Sequence, residues 1–252
     1  MFAAEERHWW YRGRRRIVSA ELERLAPRAP GRALDAGCGS GRMLDELARF
    51  GKPFGVDIDA GSVERARARG HQALLASVTE MPFDDGMFSI STCLDVVEHL
   101  DDDRAALREL LRVTEPGGAL VVTVPAYQAL WSRHDEANQH RRRYGSASLA
   151  AAATDAGWAV ERSTYFNSVL LPPAAAVRLL ERRRRRPAEF SDLQMTPAGL
   201  NPVLELPMRL EAALLRRGAR LPAGLSLLAV LRREAPIPAR PAAVEHRIAV
   251  TA

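Results

Sequence analysis

The chain has 252 residues, enough to bury a full hydrophobic core, and this length favours one elaborated domain over two. Its 36 basic and 31 acidic residues give a formal net charge of +5, and Lys52 is its single lysine. So strong an arginine bias points to the composition of the coding sequence more than to a nucleic-acid partner, and we expect no nucleic acid to bind.

Neither a secretory signal nor a membrane-spanning segment is expected. Residues 1–16 are charged and aromatic and lack the apolar region of a signal peptide. No apolar run reaches the roughly 18 residues that a spanning helix requires. Cys38 and Cys93 are too few for a disulfide framework. We therefore expect a reduced, cytoplasmic protein, at most peripheral to the inner face of the membrane.

Residues 1–30 predict an amphipathic, basic helical segment with an unusual density of aromatic side chains. His8-Trp9-Trp10-Tyr11 precedes Arg14-Arg15-Arg16, and apolar residues then follow at helical spacing. Two interpretations stay open here. The aromatic side chains either close over a ligand as a lid that excludes water, or anchor the helix to the body of the protein by packing.

From residue 31 onward, short apolar runs alternate with amphipathic segments. Such alternation predicts an α/β fold, a doubly wound, Rossmann-like and mainly seven-stranded sheet with helices on both faces. The predicted strands are 33–35, 54–57, 73–76, 87–94, 119–124, 158–165 and 225–231. The predicted helices between them are 42–50, 59–70, 102–113 and 146–156.

The domain organisation follows from these runs. Residues 31–165 form the predicted core, and 225–233 contain its last strand. Between strands six and seven, 166–224 is a helical insertion with helices predicted over 170–185 and 203–217. Residues 234–252 are rich in proline and predict a disordered tail. The insertion either caps a substrate pocket or, over 167–217, brings apolar surface and arginines to an anionic membrane.

A glycine-dense turn joins the first predicted strand to its helix. Gly37, Gly39 and Gly41 let the backbone approach a nucleoside cofactor, and Asp57 after the second strand can accept both ribose hydroxyls. A dinucleotide fingerprint would place the third glycine one residue later. Asp35 would also repel a pyrophosphate but attract an ammonium group. The turn therefore favours S-adenosylmethionine over a nicotinamide cofactor.

Five motifs occur in a fixed order: Leu34–Gly41, Asp57, Met81-Pro82-Phe83, Asp95–His99 and Pro116-Gly117-Gly118. Together they resemble the class I S-adenosylmethionine-dependent methyltransferases, and within them the small-molecule enzymes similar to those of ubiquinone biosynthesis. The resemblance implies in-line transfer of a methyl group to an O or C atom of a small-molecule or lipid-linked acceptor, with S-adenosylhomocysteine as product. A nucleic-acid methyltransferase and a non-catalytic S-adenosylmethionine-binding protein stay as alternatives.

The resemblance also implies a set of cofactor contacts. The turn surrounds the methionine part, the ribose lies on the carboxylate after strand two, and the adenine packs beyond it. Many relatives hold the adenine amino group with an aspartate, whereas this chain has Ser77-Val78, so that contact falls to Ser77 or to backbone groups. The implied cofactor-binding residues are Asp35, Gly37, Gly39, Gly41, Asp57, Ile58, Ser77, Val78 and Leu94.

His99 is the first candidate catalytic residue, because it follows strand four at the edge of the sheet where the methyl group is expected. An imidazole there can accept a proton from the acceptor. In the alternative interpretation, Glu98 and His99 only fix the loop by hydrogen bonds.

The loop after strand five is rich in histidine and arginine and resembles that of a bacterial methyltransferase subgroup of undetermined substrate. We expect His134 to act as a base and His140, Arg142, Arg143 and Tyr144 to bind the substrate, the arginines through a bidentate fork to an anionic group. Packing residues, a solvated face and a divalent-cation site formed by His134, Asp135 and His140 are the alternatives. No metal is expected, since the spacing of His134, Asp135 and His140 is not specific for one.

Overall fold

The computed structural model describes residues 8–25, 31–183 and 198–235. Its centre is a seven-stranded sheet with the strand order β3-β2-β1-β4-β5-β7-β6. This confirms the predicted doubly wound, Rossmann-like α/β class. The strands are β1 Gly31–Ala36, β2 Gly51–Asp57, β3 Gln72–Leu75, β4 Phe88–Leu94, β5 Thr114–Pro125, β6 Ala159–Phe166 and β7 Ser226–Arg232.

Helices connect the strands, and polar side chains fix where two of them begin. Asp59 accepts a hydrogen bond from the Ser62 amide at 2.8 Å, and Asp102 accepts one from the Ala105 amide at 3.0 Å. The helices are α1 Trp9–Leu25, α2 Arg42–Leu47, α3 Ala60–Ala68, α4 Asp103–Val113, α5 Arg133–Ala137, α6 Ser146–Asp155, α7 Leu171–Arg183 and α8 Asn201–Arg216. Three 3-10 turns are Val97–His99, Gln128–Leu130 and Ala198–Leu200.

The insertion lies at the carboxyl edge of the parallel strands. Strands β1 to β5 pair in parallel, whereas β7 runs antiparallel to both β5 and β6. Strand β6 ends at the carboxyl edge, and α7 and α8 follow it before β7 starts from the same edge. The chain therefore has to return in the opposite direction, and the insertion stays on the side of the sheet where ligands bind.

Helix α1 is anchored by packing. Ile17, Val18 and Leu22 are fully buried, in the same core cluster as Met208 of α8. Each such side chain contributes about 1.5–3 kcal/mol when it leaves water. The Trp10 ring stacks on Phe166 with 5.8 Å between centroids. The aromatic segment is thus held against the sheet and α8, as one of the two interpretations requires.

Several element bounds differ from the prediction, and strand β2, for example, begins at Gly51 and not at residue 54. Strand β5 begins at Thr114, five positions before the predicted start, after a register irregularity in its pairing with β4. Helix α2 ends at Leu47, and the short helix α5 was not predicted. The predicted disordered tail falls outside the described residues from 236 onward, as do 184–186 of the arginine run. Within the described ranges, no helix has the length and apolar character needed to cross a membrane.

Candidate cofactor and acceptor site

The turn after β1 needs glycine at its first position. Gly37 has φ +84°, and a Cβ there would lie 2.3 Å from the Cγ2 atom of Val96. The amides of Gly37 and Cys38 both donate to the Val56 carbonyl, at 2.8 and 2.9 Å. These contacts bend the turn toward the end of β2 and leave room beside it for a ligand.

Asp57 holds this turn from the end of β2. Its Oδ2 accepts the Gly39 amide at 2.8 Å, and its Oδ1 accepts the Asp59 amide at 2.9 Å. Each carboxylate oxygen has two lone pairs, so both retain capacity to accept from a diol. Ile58 follows with 80% of its surface exposed. A polar acceptor beside an exposed apolar side chain is suited to a nucleoside.

At the adenine end of the site lie Ser77 and Val78, where the sequence resemblance would place an aspartate in many relatives. The Ser77 hydroxyl lies 2.7 Å from Thr79 Oγ1 and accepts the Thr79 amide at 3.2 Å. Val78 is buried. Ser77 is therefore already engaged in a local turn, and any contact it makes to an adenine competes with that turn.

A buried carboxylate lies behind the glycine turn. Asp35 is buried at the end of β1, and Oδ1 accepts the Thr92 hydroxyl at 2.6 Å. Arg14 of α1 pairs with Asp95, which has φ +55°, and donates to the Leu94 carbonyl at 3.3 Å. Helix α1 thereby brings a positive charge to the carboxyl edge between β1 and β4.

One cavity of about 1090 Å³ joins these groups to the loops after β4 and β5. Its wall near α1 and α7 is mostly apolar and aromatic, with Trp9, Trp10, Leu170 and Val177. Twelve of the predicted site residues line it: Asp35, Gly37, Gly39, Asp57, Ile58, Ser77, Val78, Leu94, His99, His134, His140 and Arg143.

Glu98, His99 and His140 meet at one end of this cavity. One ligating atom from each lies within 4.8 Å of the other two. The His99 and His140 rings are perpendicular, with centroids 4.7 Å apart. Burial lowers the pKa of His99, and the neighbouring His140 lowers it further. Two imidazoles beside a carboxyl group are a set of side chains that can act as metal-binding donors.

Glu98 is the least satisfied polar side chain of this cluster. It is fully buried, and in the described part of the chain no other residue gives a hydrogen bond to either carboxylate oxygen. Burial raises the pKa of Glu98 well above its usual range, and the charge of Asp95 raises it further. A buried carboxylate in this state requires a proton or a cation.

His140 is held from behind by a second buried carboxylate. Its Nδ1 lies 2.8 Å from Asp135 Oδ1, and Arg143 Nε donates to the same oxygen at 2.7 Å. Burial would raise the pKa of Asp135, but the hydrogen bonds from His140 and Arg143 lower it well below its usual range. An ionised carboxylate only accepts, so Nδ1 of His140 is the donor in this contact.

Comparison with known proteins identifies the domain. A profile of the family described as "Methyltransferase domain" matches residues 34–122. Over 162 residues the chain is 32% identical to a Mycolicibacterium smegmatis protein named "Probable S-adenosylmethionine-dependent methyltransferase", covering 62% of each chain. Over 159 residues it is 31% identical to the malonyl-[acyl-carrier protein] O-methyltransferase of Salmonella typhimurium, covering 58% of this chain and 61% of that protein. Residues 34–122 therefore match a methyltransferase domain, and the chain is similar to S-adenosylmethionine-dependent methyltransferases.

The similarity covers only part of these curated relatives, since the chain spans 62% and 61% of their lengths. Among solved structures, a Haloferax volcanii chain crystallised with the methyltransferase activator Trm112 superposes with a TM-score of 0.61 at 20% identity. That superposition covers 93% of each chain, and it shows the methyltransferase fold alone.

Three residues predicted for the methyltransferase site do not line the cavity. Arg142 donates to the carbonyls of Leu100 and Asp101, at 2.9 and 2.7 Å, and the buried Tyr144 hydroxyl donates to Asp103 at 2.7 Å. Both side chains therefore fix the loop, outside the residues that line the cavity. Gly41 is the N-cap of α2 and its Cβ position faces Ala66, so it shapes the turn without reaching the ligand space.

The predicted base His134 lies in the cavity but is engaged locally. Its Nε2 is 3.1 Å from the Asn138 side-chain amide, whose nitrogen also donates to the His134 carbonyl at 2.7 Å. From the sequence, Glu98 was expected only to fix its loop by hydrogen bonds. The pairing of Arg14 with Asp95 and the contact of Asp135 with His140 were not predicted. The pattern Asp135-x4-His140 was present, but nothing in the sequence showed that His140 would face the His99 ring.

Proposed function

We propose that this methyltransferase moves the methyl group of S-adenosylmethionine to an oxygen or carbon atom of a small molecule. The observation that carries the proposal is the shared cavity. The glycine turn and Asp57 line one end, and Glu98, His99 and His140 line the other. A donor and an acceptor bound in one cavity need only alignment, because the sulfonium methyl is already activated.

The residues of the donor end fit the three chemical parts of S-adenosylmethionine. Asp57 can accept the two ribose hydroxyls, and the exposed face of Ile58 suits an adenine ring. Asp35 supplies a negative charge for the ammonium group, next to the turn formed by Gly37 and Gly39. The same negative charge would repel a pyrophosphate, so a dinucleotide cofactor is disfavoured.

We propose that Glu98, His99 and His140 hold a divalent cation at the acceptor end. Among the described residues the buried Glu98 carboxyl group has no hydrogen-bond partner, so it needs a proton or a cation, and Asp135 holds His140 through the kind of hydrogen bond that metal-bound histidines ordinarily make. A divalent cation bound there would lower the pKa of an acceptor hydroxyl. This proposal replaces the expectation that no metal is used.

The transfer step is a direct displacement. A lone pair of the acceptor oxygen forms the new C–O bond while the C–S bond breaks, and the sulfur keeps the electron pair, giving S-adenosylhomocysteine. The hydroxyl proton leaves to water. The chain positions both reactants, and the aromatic side chains Trp9 and Trp10 limit water at the reacting atoms.

The lining of the cavity favours a small acceptor with an apolar part. Leu170, Pro173, Ala174 and Val177 form its wall on the insertion side. The Salmonella typhimurium relative and a Xanthomonas oryzae ubiquinone-biosynthesis relative are both named as O-methyltransferases, which supports oxygen over carbon. Neither relative is named as a nucleic-acid methyltransferase, so a nucleic-acid acceptor is not favoured.

We propose that the protein acts in a reducing compartment, the cytoplasm, with residues 167–217 in peripheral contact with the inner face of the membrane. Cys38 and Cys93 are both buried free thiols, which supports a reducing environment.

The proposal is tested with methyl-labelled S-adenosylmethionine and fractionated cell extract. Calorimetric titration should show that S-adenosylmethionine binds. Incubation should then move the label into a low-molecular-weight or lipid fraction in the presence of Mg²⁺ or Mn²⁺. The absence of any binding heat or thermal shift with S-adenosylmethionine would exclude the enzyme, while binding without label transfer to any fraction would favour a non-catalytic binding protein.

A further inference from the structure

Helix α8 has apolar side chains on both sides. Met208, Ala212 and Leu215 are buried against the body of the protein. On the opposite side Val203, Leu206, Leu210 and Leu214 are 65%, 54%, 60% and 44% exposed. At 3.6 residues per turn these four positions fall within an arc of about 80°. We call this row the apolar stripe.

A second cavity, of about 340 Å³, lies beside the apolar stripe and is strongly basic. It is lined by six arginines and two glutamates: Arg12, Arg15, Arg16, Arg49, Arg209, Arg216, Glu23 and Glu46. Arg209 and Arg216 come from α8 itself, on the side of the helix next to the stripe. We call this surface the arginine pocket.

The carboxylates around the arginine pocket do not neutralise it. Glu23 pairs with Arg49 and Arg216, at 3.1 and 2.5 Å. The buried Glu205 pairs with Arg12, Arg16 and Arg209. Among the described residues that line the pocket or pair with its arginines, the six arginines outnumber the three carboxylates Glu23, Glu46 and Glu205. The burial of Arg15 beside Arg42 and Arg14 lowers its pKa, as expected where positive charges crowd together.

We propose that the apolar stripe and the arginine pocket together dock the protein on an anionic lipid surface. An exposed apolar row flanked by arginine is the arrangement of helices that lie in a membrane interface, where side chains enter the acyl boundary and cations meet the headgroups. The excess of positive charge selects a lipid surface of negative charge. This inference rests on the membrane contact proposed above and names the surface that makes it, but it does not depend on the proposed methyl transfer.

One end of the apolar stripe lies next to the main cavity. Asn201, at the start of α8, accepts the Trp9 amide at 3.1 Å, and Trp9 lines that cavity. A membrane in contact with α8 would therefore lie close to the apolar wall of the acceptor site. An acceptor dissolved in the membrane could pass between the two over a short distance.

The test is co-sedimentation of the full chain with vesicles of phosphatidylcholine alone or of equal parts phosphatidylcholine and phosphatidylglycerol. The double variant Leu206→Glu/Leu210→Glu removes the centre of the stripe, and Arg49→Gln/Arg216→Gln removes two charges of the arginine pocket. Leu75→Glu is the matched control, because Leu75 is 58% exposed at the edge strand β3, away from α8.

The wild type and Leu75→Glu should sediment with the anionic vesicles and much less with neutral ones, and binding should fall as salt rises. The Leu206→Glu/Leu210→Glu variant should bind the anionic vesicles at least about tenfold more weakly than the wild type, with an unchanged thermal midpoint. The arginine variant should lose the preference for phosphatidylglycerol. Equal sedimentation of the leucine variant and the wild type would overturn the proposal. So would a wild-type dimer in sedimentation velocity that the leucine substitutions dissociate, because a second copy would then cover the stripe.

Discussion

Asp57 serves both the fold and the ligand, and this double role sets how a substitution there should behave. Its two oxygens hold the amides of Gly39 and Asp59, at 2.8 and 2.9 Å. The carboxylate that would accept the ribose hydroxyls is thus the same group that keeps the glycine turn closed. Removing it should affect the shape of the site as well as the contact.

We predict that Asp57→Ala weakens S-adenosylmethionine binding by about 100-fold or more, because two hydrogen bonds to a charged group contribute about 1.5–3 kcal/mol each. Isothermal titration calorimetry measures the effect. Asp57→Asn is the control, since it retains one acceptor oxygen and should lose less affinity than Asp57→Ala. Equal affinity in the wild type and Asp57→Ala would place the ribose elsewhere.

Glu98 gives the second prediction at the scale of a residue. Substitution by glutamine removes the charge while keeping the volume, and an amide is a poor ligand for a divalent cation. Calorimetric titration with Mn²⁺ should show at least about a tenfold loss of affinity for Glu98→Gln, a difference of about 1.4 kcal/mol. His134→Asn should retain wild-type Mn²⁺ affinity, because His134 lies outside the cluster. A wild type that does not bind Mn²⁺, Mg²⁺ or Zn²⁺ would contradict the proposed cation site.

At the scale of an element, α1 and α8 are joined by one buried carboxylate. Glu205 is almost fully buried and receives Arg16 and Arg209, both at 3.0 Å, together with Arg12 at 3.2 Å. Burial alone would raise the pKa of Glu205, but the arginine hydrogen bonds and charges lower it below its usual range. Helix α1 brings Trp9, Trp10 and Arg14 to the main cavity, so this contact also supports the site.

The lowered pKa makes the contribution of Glu205 dependent on pH. Between the folded and unfolded pKa values the unfolded chain binds more protons, so the stabilisation is full above the unfolded value near 4.5 and is lost as the pH falls through the folded value. We predict that Glu205→Gln lowers the free energy of unfolding by about 2 kcal/mol at pH 7. In acid below the folded pKa, this difference from the wild type should disappear.

Urea unfolding at both pH values measures this difference. Glu64→Gln is the matched control, because Glu64 is exposed on α3 and its removal should change the stability little at either pH. A constant difference between Glu205→Gln and the wild type across the pH range would show that the loss comes from packing and not from charge.

The sequence predicted the elements that follow simple rules and missed those set by distant contacts. Alternating strands and helices gave the sheet, and the glycine turn with Asp57 gave the cofactor end, because ligand groups on parallel strands follow strand ends. Arg142 and Tyr144 are residue types that often bind substrates. Here their side chains donate hydrogen bonds to Leu100, Asp101 and Asp103. Which way a loop side chain turns depends on residues some 40 positions away, and a single sequence does not contain that information.

At the scale of the whole molecule, the sheet keeps the donor and acceptor ends of the cavity on different strands. Asp57 ends β2 and Glu98 follows β4, with β1 paired between them. Strands are spaced about 4.8 Å apart, which places the two strand ends about 10 Å from each other. Groups this far apart and without shared partners act almost independently on binding.

Because of this separation, we predict that a substitution at one end of the cavity weakens the binding of only one ligand, either S-adenosylmethionine or the cation. Asp57→Ala should keep Mn²⁺ affinity within about twofold of the wild type, and Glu98→Gln should keep S-adenosylmethionine affinity within the same limit. Chelation by EDTA should likewise stop label transfer to the acceptor fraction while calorimetry still shows S-adenosylmethionine binding, and added Mn²⁺ should restore transfer. If EDTA leaves transfer at its full rate, then Glu98, His99 and His140 act on the acceptor as the chain's own groups, and the buried Glu98 carboxyl carries a proton in place of a cation.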